Sequence, residues 1–294
     1  MLALFAAACS TLGPTPRTDG PDDRVVVASF NFDESRLLAE IYAQALEDAG
    51  IAVRRELDLG PREIVLPAMR QGLVDVVPEY LGALLDAAVR TPGAAVQDPE
   101  LVARRLTPVL ARWGLRLLEP SAASNQNTLA VTRETADELG LATTSDLRAV
   151  APGLVVGGPP ECATRPRCLP GLEVTYGVRF GGFVPIQGAR LVRQALLDGV
   201  VDVGVLFTTD GELARDDLVA LADDRSLQPA ENVVPLVRPD GLEAPGATAV
   251  LDEVSSRLTT AGLRFLAWRV TVAGGTPAAE ARGWLLRQGL VGRT

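Results

Sequence analysis

Cysteines, arginines and carboxylates are the side chains of this sequence that could do chemistry, because it contains no histidine and all 28 of its basic residues are arginine. Without histidine there is no Ser-His-Asp triad, no Cys-His pair and no imidazole base or metal ligand. Without lysine there is no Schiff-base chemistry and no phosphate-loop lysine. Catalysis by carboxylates alone stays open, but no motif supports it. We therefore expect no enzyme activity, no cofactor and no metal.

Cys9 follows the short apolar run 1–8 and precedes a polar stretch, 10–23, rich in Pro, Thr, Asp and Gly. This arrangement resembles a bacterial lipoprotein cleavage site. The match is imperfect, since the apolar run is short and no basic residue precedes it, so an incidental cysteine in a frayed terminus is the alternative. We expect residues 1–23 to be signal and tether, with Cys9 lipidated. The mature chain would then be anchored to the outer face of a bacterial membrane.

Cys162 and Cys168 stand six positions apart in a stretch rich in glycine and proline. A secreted context favours a disulfide between them. A metal site is the weaker alternative, because no other soft ligand is present. No run of about 20 apolar residues follows the N-terminal segment, so we expect no transmembrane helix in the mature chain.

The length and charge of the chain restrict its domain number and its class of partner. The 294 residues suffice for two domains, and a hydrophobic fraction of 47% supports a packed core. The formal net charge is −9. A nucleic-acid partner is unfavourable for such a chain, because it needs a basic face.

Strand and helix patterns alternate along the first 80 residues. Short β-branched runs predict strands at 24–29, 51–57 and 74–77, and helical periodicity predicts helices at 34–49 and 61–71. This alternation is typical of a parallel sheet with crossover helices.

The segment 72–76 (GLVDV) has an echo at 199–203 (GVVDV), and an aromatic residue follows each aspartate by five positions. Chance is one explanation; two α/β lobes of similar plan is the other. Open parallel sheets bind ligands beyond the carboxyl ends of their strands. Facing lobes would form a cleft with opposed side chains: Ser29, Asn31 and Tyr80 on one side, and Glu161, Arg165 and Phe207 on the other.

Five motifs in order resemble those of one known family, the substrate-binding proteins of osmoprotectant importers, which capture glycine betaine, choline or carnitine for an ATP-driven permease. They are SFNFDE (29–34), PEYLG (78–82), PGLEVTYG (170–177), TTDG (208–211) and NVVPLV (232–237). The resemblance covers nearly the whole chain after residue 24. It implies a two-lobed α/β fold of the periplasmic-binding-protein type with a two-crossing hinge.

The resemblance also implies a binding site. A quaternary ammonium cannot donate a hydrogen bond, so the family holds it against aromatic rings, each worth roughly 0.5–2 kcal/mol, and holds the ligand's carboxylate with arginine. Two ring positions fall on Tyr80 and Phe207, and the arginine falls on Arg165. The other two ring positions hold Asn127 and Glu231, which are not aromatic.

Phe30 stands where a lysine is frequent in the family and could supply a replacement ring, while Glu231 could offer counter-charge to a cation. These departures predict weak binding of glycine betaine and favour a small polar or zwitterionic solute. Asp210 is expected to cap or turn its own segment. The expected ligand-binding residues are Ser29, Phe30, Asn31, Tyr80, Asn127, Arg165, Phe207, Thr208 and Glu231.

The implied first lobe comprises residues 24–125 plus 231–294, and the second comprises 126–230. We expect a monomer that delivers its solute to an ABC permease and ATPase complex. A ligand-sensing receptor on the same fold is the alternative. A third possibility, an enzyme in a two-lobed fold, is disfavoured because the chain has neither histidine nor lysine.

Overall fold

The computed structural model describes residues 24–89 and 96–292, so Cys9 and the predicted signal segment lie outside the described residues. The strands are β1 (Val25–Phe30), β2 (Val53–Gly60), β3 (Val76–Tyr80), β4 (Arg116–Leu117), β5 (Asn127–Thr132), β6 (Val155–Gly158), β7 (Gly182–Pro185), β8 (Val203–Phe207), β9 (Leu218–Ala220) and β10 (Val233–Val237). The helices are α1 (Asp33–Asp48), α2 (Arg62–Arg70), α3 (Leu81–Val89), α4 (Pro99–Arg112), α5 (Arg133–Leu139), α6 (Leu147–Val150), α7 (Leu169–Tyr176), α8 (Ala189–Leu197), α9 (Ala247–Arg257), α10 (Thr260–Thr271) and α11 (Pro277–Gln288).

The strands form two five-stranded sheets of the same plan. The order is β2-β1-β3-β10-β4 in the first lobe and β7-β6-β8-β5-β9 in the second. In each sheet three neighbouring strands are parallel. The strand at the centre of the sheet, β3 or β8, pairs on its other side with an antiparallel strand that enters from the other lobe. This arrangement confirms the predicted two-lobed α/β class.

The sequence echo has a structural counterpart at its two aspartates. The carboxylate of Asp75 accepts a hydrogen bond from Val26 N (2.9 Å), and that of Asp202 accepts one from Val155 N (2.7 Å). Each aspartate therefore clamps the start of its own strand to the neighbouring parallel strand.

The third predicted strand, 74–77, is displaced: β3 runs from Val76 to Tyr80. The strand continues past Pro78 because its pairing with β10 is antiparallel, with Val233 opposite Tyr80 and Pro235 opposite Pro78. This extension carries Tyr80 to the carboxyl edge of the sheet.

Apolar side chains cover both faces of each sheet. In the first lobe Leu38, Ile41 and Leu46 of α1 are fully buried and share a core with the C-terminal helices α9 to α11. On the opposite face α2, α3 and α4 pack against β1, β3 and β10. Because both faces of the sheet are covered, β1 is buried along its entire length.

Two chain segments, 118–126 and 221–232, cross between the sheets. They pair with each other through an antiparallel bridge between Ser124 and Asn232, and Asn125 N donates to Glu231 O (3.0 Å). These two adjoining crossings form the hinge about which two such lobes can move.

Helix α10 also contacts the second lobe. A Cβ on Gly211 would lie 2.8 Å from the carbonyl carbon of Ala267, so only glycine permits this approach. Within the described ranges, no helix has the length and apolar character needed to cross a membrane.

Candidate functional site

A cavity of about 930 Å³ lies between the two lobes, with the crossing segments contributing to its wall. Its lining includes the carboxyl ends of β3 and β8, the first turn of α1 and the loop that carries Arg165. The volume falls within the usual range for small-molecule sites. The sheets therefore position their strand ends around one shared space.

Five of the residues predicted from the sequence line this cavity: Tyr80, Asn127, Arg165, Phe207 and Glu231. Tyr80 and Phe207 occupy equivalent places, since each is the last residue of the central strand of its sheet. Asn127 begins β5 and pairs directly with Phe207 across the ladder. The fold thus brings together five of the side chains that the resemblance indicated, although they are distant in sequence.

Four other predicted residues lie outside the cavity lining: Ser29, Phe30, Asn31 and Thr208. The buried hydroxyl of Ser29 accepts a hydrogen bond from Asp58 N (2.9 Å), and Asn31 is exposed. Thr208 stabilises the first crossing segment, 118–126, because its hydroxyl accepts a hydrogen bond from Gln126 N (3.0 Å) and donates one to Ser124 O (2.7 Å).

Phe30 is a correction to the sequence-based site. Its side chain is buried in the core, and the guanidinium of Arg62 lies 5.3 Å from its ring centroid. It cannot serve as a replacement ring in the cleft. Phe32, which the prediction missed, lines the cavity with 40% of its surface exposed.

Three aromatic rings therefore line the cavity. The rings of Phe32 and Tyr80 are 6.2 Å apart between centroids and tilted by 33°. Phe207 faces them from the other lobe and is 44% exposed. An exposed phenylalanine in a cavity shared by two lobes favours contact with a ligand over core packing.

Glu34 is a second cavity residue that the prediction missed. Its Oε1 accepts hydrogen bonds from the Tyr80 hydroxyl (2.6 Å) and Asn125 Nδ2 (2.9 Å), and Thr209 of the other lobe also hydrogen-bonds to it. Burial raises the pKa of Glu34, while these hydrogen bonds lower it. Burial also raises the pKa of Tyr80 well above its ordinary value, so its hydroxyl remains a donor.

Asp210 has the predicted turn role and a second position that was not predicted. Its Oδ2 accepts from Phe207 N (2.8 Å), which closes the turn, but the residue also lines the cavity. The pKa of Asp210 is raised to about 7, chiefly by burial and also by the nearby charges of Glu34 and Glu212, while the hydrogen bond from Phe207 N lowers it.

Glu231 lies against the N-terminus of α3. Its Oε2 accepts from Ala83 N (3.0 Å), and a Cβ on Gly82 would lie 2.7 Å from its Oε1. The glycine of the PEYLG motif therefore makes room for this carboxylate. Burial raises the pKa of Glu231 to about 7.

The loop 162–168 brings arginines to the mouth of the cleft. Cys162 and Cys168 are joined by a disulfide, with their Cα atoms 5.2 Å apart. The side chain of Arg165 is 68% exposed and lies 3.5 Å from Glu161, while Arg167 forms an ion pair of 2.7 Å with Asp86 of the opposite lobe.

The arrangement suits the capture of a charged solute. Nothing in residues 24–89 and 96–292 gathers three or more His, Cys, Asp or Glu side chains into a metal-binding group. What the cavity offers is rings, carboxylates and a rim of arginine, which are groups that recognise a charged solute. The sequence signal for Glu34 and Asp210 was available, since each closely follows the carboxyl end of a strand.

The fold is shared with solved binding proteins. A crystal structure of a glycine betaine/carnitine/choline ABC transporter protein matches with a TM-score of 0.83 and 23% identity, over 90% of this chain and 99% of that one. Apo YehZ from Escherichia coli matches with a TM-score of 0.80 and 25% identity, over 91% of this chain and 99% of that one.

Two curated relatives are similar in sequence. A glycine-betaine-binding protein of Pseudomonas aeruginosa is 31% identical over 270 residues, covering 88% of this chain and 86% of its own length. An ergothioneine transport permease/ergothioneine binding protein of Helicobacter pylori is 25% identical over 98% of this chain, which spans only 52% of that longer protein.

The family match extends over residues 23–287, to the family described as the substrate binding domain of ABC-type glycine betaine transport systems. This span includes both sheets, both crossings and every residue of the cavity. The chain belongs to this family of extracytoplasmic solute-binding proteins.

Proposed function

We propose that this chain captures one small solute in the cavity between its lobes and delivers it to the permease and ATPase complex of an importer. The observation that carries the proposal is a cavity shared by the two lobes and lined by equivalent strand ends of two like sheets. Solute binding to both lobes would favour a closed arrangement, since contacts from the two sides form only when the lobes approach.

We further propose that the protein acts as a lipid-anchored monomer. Cys9, preceded by small residues and followed by a polar stretch, supports the anchor. The disulfide between Cys162 and Cys168 is in keeping with an oxidising compartment outside the cytoplasm.

The cavity favours a small polar or zwitterionic solute over glycine betaine. Asn127 stands where the family has a ring, and its amide has one weak partner in Gln228, at 3.3 Å. A trimethylammonium offers that amide no hydrogen bond, and burying a polar group without a partner costs roughly 1–3 kcal/mol. Arg165 lies at the exposed rim beside Glu161, where it can meet an anionic end of the solute.

Calorimetric titration tests this proposal. We expect glycine betaine, choline and carnitine to bind more weakly than micromolar, while at least one member of a panel of amino acids and other polar metabolites binds. Arg165→Ala should weaken an anionic or zwitterionic ligand at least tenfold, about 1.4 kcal/mol. Micromolar binding of glycine betaine would overturn the expected preference and make the cage of three rings sufficient.

A further inference from the structure

Three carboxylates line the cavity without a cationic partner. Glu34, Asp210 and Glu231 come from α1, from the turn after β8 and from the second crossing, so three separate elements bring them to the cavity. Among the described residues none of the three lies within 4.0 Å of an arginine nitrogen, whereas Asp33, Asp86 and Glu212, which also line the cavity, each do.

The arginines that line the cavity are paired with other carboxylates or exposed to solvent. Arg167 is paired with Asp86, and Arg165 lies beside Glu161 at the exposed rim. Arg190 also lines the cavity but is exposed to solvent. The interior of the cleft therefore has carboxyl groups without a counter-charge, and each one that ionises there needs compensation from outside the chain.

Each carboxylate has a local role that uses only part of its hydrogen-bonding capacity. Glu231 accepts from Ala83 N through Oε2, and Asp210 accepts from Phe207 N through Oδ2. No described residue donates to Glu231 Oε1 or Asp210 Oδ1. Helix capping by Glu231 and turn formation by Asp210 thus use one oxygen of each carboxylate and leave the other oxygen available to a solute.

We propose that the solute carries a cationic end with N–H donors, such as an ammonium, amidine or guanidinium, held between Glu34, Asp210 and Glu231 and flanked by the rings of Phe32, Tyr80 and Phe207. This inference rests on the proposed function and names the class of solute. A carboxylate acceptor distinguishes an N–H cation from a methylated one, because only the former makes charge-assisted hydrogen bonds. The rings contribute to both kinds of cation.

Matched pairs of solutes that differ only in methylation of the nitrogen test the proposal. The pairs are ethanolamine and choline, lysine and N6-trimethyllysine, and glycine and glycine betaine, each titrated calorimetrically into the full chain at pH 8. We expect at least one unmethylated member to bind, and to bind at least tenfold more tightly than its methylated partner. A methylated member that binds as tightly as its partner overturns the proposal.

Two variants locate the effect. Asp210→Asn and Glu231→Gln keep the size and the acceptor oxygen but remove the charge, and each should weaken the bound amine at least tenfold. Asp216→Asn, on the exposed surface of the same lobe as Asp210, is the matched control and should leave the affinity unchanged. Unchanged binding in both cavity variants overturns the proposal.

The outcomes separate this inference from the proposed function. If no member of the three solute pairs binds but an uncharged or anionic metabolite does, the importer role stands and the proposed cationic class of solute is wrong. If no solute of either panel binds, both the role and the class are contradicted.

Discussion

Replacing Glu79 with glutamine is expected to lower the free energy of unfolding by roughly 3–5 kcal/mol, the range for a buried ion pair that loses one partner. Glu79 is fully buried in β3, and its two oxygens accept from Arg62 Nε (2.7 Å) and a terminal guanidinium nitrogen (2.9 Å). Glutamine leaves the guanidinium without a counter-charge. Because Glu79 also accepts from Tyr80 N (2.8 Å), solute affinity should fall as well.

Denaturant unfolding at pH 7 measures the effect. Glu63→Gln is the matched control, since Glu63 is an exposed residue of α2 next to Arg62, and it should stay within about 0.5 kcal/mol of the parent chain. A loss below 1 kcal/mol for Glu79→Gln would show that the buried pair does not stabilise this lobe in the way that we describe.

Glu231→Gln is expected to act in the opposite direction, and only at high pH. Burial raises the pKa of Glu231 from 4.5 to about 7, so the folded chain holds a proton there that the unfolded chain releases above pH 4.5. The stability from this group is therefore present at low pH and is lost as the pH rises through 7. The rise in pKa corresponds to roughly 3 kcal/mol.

Unfolding free energies of the parent chain and Glu231→Gln at pH 5 and pH 8 test this sign. The parent should lose roughly 3 kcal/mol relative to the variant between these two values, because glutamine has no charge to bury. The charges that act on Glu231 are Arg167 and Arg62, which lower its pKa, and Glu79, which raises it. A parent chain that gains stability relative to the variant toward pH 8 would mean that the arginines outweigh burial.

The fold could largely be predicted from sequence. The helix predicted at 34–49 is found at Asp33–Asp48, and the one at 61–71 is found at Arg62–Arg70. The GLVDV and GVVDV segments occupy equivalent places in the two sheets, and the aspartate of each accepts the same kind of hydrogen bond from a neighbouring strand. The end of β3 was missed, since its length depends on an antiparallel partner more than 150 positions away in sequence.

The site could be predicted only in part, and the errors have a physical cause. A strand buried on both faces has no polar alternation, so nothing in β1 shows that Phe30 enters the core while Phe32, beyond the strand, reaches the cavity. Asp210 does form the expected turn, and because the turn alone accounts for an aspartate there, its place in the cavity lining was missed. Glu34 is an acid in a first helical turn, a position that the helix dipole alone would explain.

Tyr80 and Phe207 bring rings to the cavity from equivalent strand ends, while Asn127 and Glu231 bring hydrogen-bonding groups. The ion pair of Arg167 with Asp86 links the lobes at the mouth, and Glu34 links them at the interior through Thr209. An entering solute must either break these contacts or bind while they close the cavity around it.

Titration of Phe207→Arg with the tightest solute of the panels tests most directly whether the cavity between the lobes is the binding site. Arginine at this position places bulk and positive charge inside the cavity, and because Phe207 is 44% exposed the fold should tolerate it. Val174→Arg, at a residue of the same lobe that is 87% exposed and outside the cavity lining, is the control. We predict that Phe207→Arg weakens binding at least a hundredfold, about 2.7 kcal/mol, while Val174→Arg binds like the parent. Equal affinity in Phe207→Arg and the parent chain would contradict the account.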